Sequence, residues 1–250
     1  MNKKNVLLIS FLLLGIFSFA QKKEKLKFNN AEYFGEVKDG KRQGYGKCTF
    51  DDGGIYVGEW LDDKRQGKGT YDFPNGDKYT GDFKDDMMHG NGVYTYSNGD
   101  KYVGSLINGV VQGKGVCYYL NGDTYEGSWI NFKKEGKGIY TYRNGDIYEG
   151  QWYNNVKNGQ SVFTYYNGDK YVGEYKSGAR TGMGTFTWED GVKYEGQFLD
   201  GKMHGKGKYY FGNGDIYEGR WLDNNREGKG KYIKADGTII NKNYKAGVEQ

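Results

Sequence analysis

The sequence is poor in proline, cysteine, histidine and net charge: its 250 residues include one proline, two cysteines and two histidines, and the formal net charge is +4. So small a charge argues against the strongly basic surface typical of nucleic-acid-binding proteins, and no nucleic acid is an expected partner. A single proline beside 43 glycines and 25 tyrosines argues against a disordered chain, because disordered chains are poor in aromatic residues. Long apolar runs are missing after Ala20, so no later segment is predicted to cross a bilayer.

The one long apolar segment runs from Val6 to Ala20, after two lysines and before the polar Gln21. A charged start, a short apolar core and small residues at the end are typical of a secretory signal peptide, here cleaved between Ala20 and Gln21. The alternative, a membrane anchor, is less favoured because about 20 apolar residues are needed to span a bilayer. We expect residues 1–20 to be a signal peptide and the protein to be exported, to a periplasm or to the cell surface and medium, of a bacterium.

A tyrosine recurs every 23 residues, nine times in succession, and its surroundings recur with it. When each repeat is numbered from this tyrosine as position 1, positions 3, 12 and 21 are always glycine. Position 14 is glycine in eight copies, with Ser161 the exception, and positions 5, 16 and 18 are mostly aromatic. A short fixed period predicts an array of similar units, in which binding along a surface is more expected than chemistry in one pocket. The repeat tyrosines are Tyr33, Tyr56, Tyr79, Tyr102, Tyr125, Tyr148, Tyr171, Tyr194 and Tyr217.

Apolar residues at positions 1, 3 and 5, and again at 14, 16 and 18, follow the two-residue period of β-strands. Each repeat is therefore predicted to contain two strands, which gives an antiparallel meander of about 18 strands. Because the period is odd, one of the two connections must hold an odd number of residues. Residues 73–76 (Phe-Pro-Asn-Gly) fit a three-residue hairpin loop with a G1 bulge, and residues 62–65 are then predicted as a four-residue loop.

These loops predict which residues face each other on neighbouring strands. One face should carry an aromatic row, a glycine row on which the rings lie flat, and a row that alternates aromatic residues with glycine. The opposite face carries charged residues such as Glu59 and Lys68 and is predicted to be solvated. We interpret the aromatic face mainly as the core of the sheet. The predicted pairs are Tyr56–Tyr71, Tyr71–Tyr79, Gly58–Gly69 and Trp60–Gly67.

The few residues suited to covalent or metal chemistry are predicted to lie far apart. Cys48 and Cys117 both occupy position 16, three repeats and about 29 Å apart along such a sheet. A disulfide needs Cα atoms within about 7 Å, so both cysteines are interpreted as small apolar substitutes for an aromatic residue. His89 and His204 both occupy position 11, about 48 Å apart, and cannot share a metal ion or a nucleophile.

Residues 125–129 (Tyr-Glu-Gly-Ser-Trp), followed by a Gly-x-Gly pair and an Asn-Gly-Asp turn, resemble the MORN (membrane occupation and recognition nexus) repeat. The resemblance covers residues 33–239 and implies an all-β fold, an elongated, twisted single-layer antiparallel β-meander of repeated hairpins. It also implies a role in protein binding, self-association or contact with phospholipid. We expect residues 21–32 to form an N-terminal cap and 240–250 a capping strand and tail. The expected repeats are 33–55, 56–78, 79–101, 102–124, 125–147, 148–170, 171–193, 194–216 and 217–239.

The sequence contains no recognisable catalytic, cofactor or metal-binding set of residues. Gly-x-Gly segments such as 67–69 are similar to phosphate-binding loops, but none opens a helix. The aspartate that follows the turn glycine in six repeats could be a ligand for Ca²⁺. One carboxylate per turn, however, provides few ligands for an ion that takes six to eight oxygens. Turn chemistry is the better explanation of these aspartates. We therefore expect neither an enzyme nor a cofactor.

The expected function is that of an exported, non-catalytic binding or scaffold protein, which associates with an unidentified protein or with itself. The alternative is a ligand-binding surface for phospholipid headgroups or cell-envelope glycans. Lysines at position 13 favour anionic lipid, but acids at positions 2 and 4 share their face and dilute the attraction. Glycans would stack on exposed aromatic rings. The candidate binding face for such ligands consists of Tyr56, Trp60, Trp129, Trp152, Tyr175, Trp188 and Trp221.

Overall fold

A computed structural model describes residues 22–250, and these residues form 21 β-strands and no helix. Each strand is antiparallel to, and hydrogen-bonded with, the next strand in the chain, so the single open sheet is one continuous meander of hairpins. The predicted all-β, single-layer fold is confirmed. None of the described residues belongs to a helix capable of crossing a bilayer. The predicted signal peptide, with its cleavage site between Ala20 and Gln21, lies outside the described residues.

The nine repeats supply β2 to β19, two strands each, as the two-residue periodicity predicted. Before them β1 pairs with β2, and after them β20 and β21 continue the same sheet. The strands are β1 Lys23–Phe28, β2 Ala31–Lys38, β3 Lys41–Phe50, β4 Ile55–Leu61, β5 Lys64–Asp72, β6 Lys78–Lys84, β7 Met87–Thr95, β8 Lys101–Ile107, β9 Val110–Tyr118, β10 Thr124–Ile130, β11 Lys133–Thr141, β12 Ile147–Tyr153, β13 Val156–Thr164, β14 Lys170–Lys176, β15 Ala179–Thr187, β16 Lys193–Leu199, β17 Lys202–Tyr210, β18 Ile216–Leu222, β19 Asn225–Ile233, β20 Ile239–Lys245 and β21 Val248–Glu249.

The ring of each repeat tyrosine lies over two glycines, one on its own strand and one on the next, except that Ser161 replaces the second glycine in the repeat of Tyr148. Tyr56 covers Gly58 and Gly69, which are paired across β4 and β5. A Cβ atom added at Gly58 would lie only 2.5 Å from both the Tyr56 hydroxyl and the Gly69 Cα. The same contact recurs along the sheet, and all nine repeat tyrosines are at most 1% exposed. The predicted row of rings over glycines, all on one face, is confirmed.

Buried tyrosine hydroxyls need hydrogen-bond partners, and the repeat provides one at position 4. Tyr56 donates to the backbone carbonyl of Glu59 at 2.9 Å, and seven other repeat tyrosines make the equivalent bond. Burial raises the pKa of Tyr102 to about 12, so this hydroxyl stays protonated and keeps donating. The hydrogen bond therefore fixes the ring in its flat orientation.

Position 5, which is aromatic in seven repeats and Val37 or Leu106 in the other two, joins the tyrosines into one continuous core. Tyr125 meets the edge of Trp129 in its own repeat at 5.1 Å between ring centroids, and that of Trp152 in the next repeat at 5.3 Å. Both pairs are T-shaped, the arrangement that aromatic quadrupoles favour. Every repeat is thus packed against its neighbour, which explains how a sheet with no second layer has a core.

The turn around Asn-Gly has the predicted form. The Phe73 amide donates to the Asp77 carbonyl at 2.9 Å and the Gly76 amide to the Phe73 carbonyl at 3.0 Å, which closes a three-residue loop. Gly76 has a φ of 88°, the left-handed conformation that the G1 bulge requires. The one proline, Pro74, takes the second place of this turn, where no backbone donor is needed.

The other turn differs from the prediction, and so does the pairing beside it. Leu61 pairs with Lys64, so the loop has two residues rather than four, and both of them, Asp62 and Asp63, have positive φ. Such a type I′ turn is favoured because its twist matches that of the flanking strands. Trp60 consequently faces Arg65, so the predicted pair Trp60–Gly67 is wrong.

The observed loop is two residues shorter than the predicted one, and two extra residues instead form a bulge on the second strand of the hairpin. Gly67, at position 12, has a φ of 62° there and pairs with Phe83 of the next repeat. All nine hairpins within repeats show this irregularity, and every glycine at position 12 has positive φ. In three repeats the side chain at position 4 accepts the bulged amide at position 13, as Glu59 does from Lys68 at 2.9 Å. These bonds satisfy amides that the bulge removes from the ladder.

We predict that Gly127→Ala lowers the free energy of unfolding by about 1–3 kcal/mol, because the new methyl group meets the Tyr125 ring and the backbone of Gly138. The matched control is Gly212→Ala, whose added Cβ would meet only Val192, at 3.9 Å, and which should change stability by less than about 0.5 kcal/mol. Urea unfolding followed by tryptophan fluorescence measures both. Equal effects of the two substitutions would contradict the flat packing of ring on glycine.

Candidate functional site

A groove crosses the strands on the face opposite the tyrosines. Its floor is the backbone of the glycine rows at positions 3 and 14, one wall consists of positions 2 and 15, and the other of positions 4 and 13. Three cavities of about 620, 880 and 900 Å³ follow one another from Tyr45 to Asn241. Adjacent cavities share lining residues, Val103 between the first two and Val172 between the last two, so the groove is continuous.

The walls change in chemistry along the groove. The first third is lined mainly by neutral residues such as Tyr45 and Thr70, and its Lys68 is neutralised by an ion pair with Asp82. The middle third holds equal numbers of lysines and glutamates. The last third is basic, with five lysines and arginines against two glutamates. The groove therefore offers different chemistry to different parts of a long ligand.

The two glutamates of the last third are already engaged by neighbouring side chains. Glu218 forms an ion pair with Lys208 at 3.4 Å. Glu195 accepts hydrogen bonds from Lys193 at 2.7 Å and from Tyr210 at 2.8 Å, and these bonds lower the pKa of Glu195 below its ordinary value. The remaining cations of this third are not neutralised by either acid.

A row of exposed apolar side chains lies beyond one wall, at position 6, where the first strand of a repeat ends. Single exposed apolar residues are common on protein surfaces, but several apolar residues in one row favour a surface for a protein or a membrane. Six of the nine repeats have such a residue, and the other three have Lys38, Lys84 and Lys176 in its place. They are Leu61, Ile107, Ile130, Tyr153, Leu199 and Leu222.

The structure places the seven aromatic residues of the candidate binding face in the core. Tyr56, Trp60, Trp129, Trp152, Tyr175 and Trp221 are each at most 6% exposed. Trp188 is half-buried between the rings of Phe186 and Tyr209, whose centroids lie 4.7 and 5.4 Å away. A sugar or headgroup could stack on these rings only if the core opened. They pack against one another in the core of the sheet, which agrees with our main interpretation of the aromatic face from the sequence.

Cations at position 10 cover the aromatic face, and sequence reasoning missed them. Lys157 lies 4.6–5.6 Å from the centroids of four rings, and burial lowers its pKa to about 8. Arg65 lies over three rings at 5.1–5.8 Å. Six repeats have lysine or arginine at this position and none has an acid. Comparison of position 10 across the nine repeats would have revealed this preference. These contacts add cation–π attraction to the core and use the cations internally.

The aspartates that follow the turn glycine tie successive turns together. Asp123 accepts the Arg143 amide of the next turn at 2.8 Å, the Tyr140 hydroxyl at 2.6 Å and the Asn121 amide at 2.9 Å. Burial favours the protonated carboxyl, but the donors outweigh it and lower the pKa of Asp123. Asp77 and Asp215 have equivalent partners and lowered pKa values. Residues 22–250 contain no group of three or more potential metal ligands.

The cysteines have the role that their spacing predicted. Cys48 and Cys117 are both free and buried among the aromatic residues of position 16. Burial raises the pKa of Cys117 to about 11, which keeps the thiol protonated and unreactive. The prediction that they substitute for rings rather than form a disulfide is confirmed.

Comparison with known proteins identifies the repeat. The sequence profile of a family described as MORN repeat matches nine tandem segments, residues 33–55, 56–78, 79–101, 102–124, 125–147, 148–170, 171–193, 194–216 and 217–239. A search of curated proteins gives no match. Among solved structures, the TCP10 domain of Danio rerio CPAP is 12% identical over 89% of this chain and 100% of its own, with a TM-score of 0.47. The TCP domain of Drosophila melanogaster SAS-4, solved with a proline-rich motif of Ana2, is 16% identical over 62% of this chain and 85% of its own, with a TM-score of 0.41. Likenesses this distant carry no functional information.

We predict that the bond network of Asp123 makes stability depend on pH. Because its folded pKa lies below the unfolded value of about 3.9, the stabilisation is complete above that value and is lost as the pH falls through the folded pKa. Asp123→Asn should therefore lower the free energy of unfolding by about 1–3 kcal/mol near neutral pH, and the difference from wild type should shrink below about pH 4. Urea titrations across this range measure it. Glu189→Gln, an exposed acid on the equivalent turn three repeats further along, is the control, and a difference independent of pH would contradict the role assigned to Asp123.

Proposed function

The chain belongs to the MORN repeat family, and on that premise we propose that it is an exported, non-catalytic binding protein whose groove holds an extended segment of a partner protein. The groove is the observation that carries this proposal. It is continuous, it crosses most of the sheet, and its two walls are side chains two positions apart on each strand. A site of this shape suits a long, narrow ligand better than a small molecule, which binds in an enclosed cavity.

The exposed apolar row at position 6 supports a protein as the partner. Protein interfaces combine an apolar part with a polar rim, and here the apolar row runs beside a wall rich in lysine and glutamine. The repeated geometry would let a partner gain affinity from many weak contacts along the sheet. Self-association through the same face is a special case, in which the partner is a second copy.

The non-catalytic part of the proposal is supported by what the perturbed groups do. The tyrosines have raised pKa values because they are buried, the aspartates have lowered ones because they receive donors, and Lys157 is enclosed by rings. These groups are used in packing and in turns, and Glu195, which lines the groove and has a lowered pKa, is held by hydrogen bonds from Lys193 and Tyr210. Export is proposed from the sequence of residues 1–20 alone.

The glycan and phospholipid alternative loses its strongest support, since the proposed stacking residues are buried. It is tested by titrating the protein with cell-wall glycans and with anionic vesicles while tryptophan emission is followed. We expect no change in emission with either ligand. A saturable change with one of them would favour the alternative.

We predict that the partner contacts the groove and not the turns. A photo-crosslinking amino acid placed in the groove at Val116 or Thr185 should capture the same protein in the cells that produce this chain. The same residue placed on exposed turn positions, Asp51 or Glu189, is the matched control and should capture none of it. Capture from the turns in place of the groove, or different proteins from the two groove positions, would refute the proposed binding mode.

A further inference from the structure

Three cations lie next to one another on the groove wall at its C-terminal end. Lys206 on β17 pairs directly with Arg220 on β18, and Lys229 follows on β19. All three side chains are exposed, and within residues 22–250 none of them forms an ion pair. Glu227, which faces Arg220 from β19, instead accepts the Ala246 amide at 2.8 Å. Within the described chain no ion pair therefore neutralises these three cations.

The pairing of Lys206 with Arg220 is unusual for its row of the sheet, although Lys38 and Lys41, beside the turn between β2 and β3, are also directly opposed. Position 13 of each repeat faces position 4 of the next, and like charges placed directly opposite each other destabilise a sheet. Only one pair of this row brings two like charges together. Features that break a local rule without a structural benefit are expected at functional sites. The other pairs are Tyr45–Glu59, Lys68–Asp82, Asn91–Ser105, Lys114–Ser128, Lys137–Gln151, Gln160–Glu174, Met183–Gln197 and Lys229–Asn243.

An apolar side chain continues the same wall. Met183 lies on β15, two strands before Lys206, and is 65% exposed. Neighbouring strands are about 4.8 Å apart, so the three cations span about 10 Å and Met183 lies about 10 Å further along. An extended peptide advances about 3.3 Å per residue, so about three residues match the cations and about three more reach Met183.

We propose that this end of the groove binds a run of acidic side chains in an extended protein segment, with an apolar residue of that segment against Met183. The proposal rests on the proposed function and names the chemistry of the partner. A protein segment fits better than a bilayer, because a flat membrane would meet the tips of the wall residues equally along the sheet. The Lys206–Arg220 pair makes the last third of the groove differ from the other two thirds only for a ligand that lies within the groove.

The test uses the full chain and a short fluorescein-labelled peptide that carries a leucine followed by a run of glutamates, with binding measured by fluorescence anisotropy. Binding should weaken as salt is added, because the attraction is between exposed charges. A peptide with glutamine in place of each glutamate should bind at least about tenfold more weakly. Vesicles containing phosphatidylglycerol form the membrane arm of the experiment.

The matched variants change the same charge at the same repeat position. Lys206→Glu combined with Lys229→Glu should weaken peptide binding at least about tenfold, whereas Lys114→Glu combined with Lys137→Glu should leave it nearly unchanged. Lys206→Glu alone places a carboxylate opposite Arg220 and should raise Tm by about 1–3 °C while weakening binding. Loss of binding in a more stable protein cannot be attributed to misfolding.

Equal losses in the two double variants, or equal binding of the glutamate and glutamine peptides, would overturn the proposal. Vesicle binding that depends on Lys206 and Lys229, without peptide binding, would overturn it in favour of a membrane. If the peptide fails while crosslinking from Val116 and Thr185 still captures one partner, the acidic chemistry is wrong and the groove remains the binding site. If crosslinking from these groove positions fails as well, the proposed function fails with it.

Discussion

The packing of a tyrosine ring on two glycines is the contact on which the rest of the structure depends. A single-layer sheet has no second layer to cover its apolar face, and the tyrosine rings cover it instead by lying flat along the strands. They can lie flat only because positions 3 and 14 have no side chain, with Ser161 the one exception. Aromatic side chains bury about 150–250 Å² each, so nine repeats provide a substantial core in an extended molecule. The opposite face is left free, and the groove lies there.

Much of this arrangement could be predicted from the sequence, because strand periodicity and the odd repeat length fix the face of each residue. The Asn-Gly turn was predictable since Pro74 and Gly76 each suit one place in it. The second turn was not, because parity only requires an even number of unpaired residues. A four-residue loop meets that requirement, and so does the two-residue loop at Asp62–Asp63 with two extra residues in the bulge at Gly67. The groove and the internal use of cations such as Lys157 depend on the curvature and packing of the whole sheet.

The repeat separates the residues that build the sheet from those that can distinguish partners. Positions 1, 3, 12, 14 and 21 are nearly constant because each meets a demand of packing or backbone conformation. The groove walls at positions 2, 4, 13 and 15 vary without affecting that framework, and they change from neutral at one end to basic at the other. A ligand that follows the groove therefore meets an ordered series of chemical environments, which is the physical basis for a specific partner.

Mapping of tyrosine nitration with tetranitromethane and mass spectrometry would show whether every repeat tyrosine is enclosed on one face of the sheet while the other face is open. We expect rapid nitration of the four exposed tyrosines, Tyr45, Tyr118, Tyr153 and Tyr166, and protection of the nine repeat tyrosines until the protein unfolds. Nitration of repeat tyrosines in the folded protein, above all in alternate repeats, would contradict this enclosure.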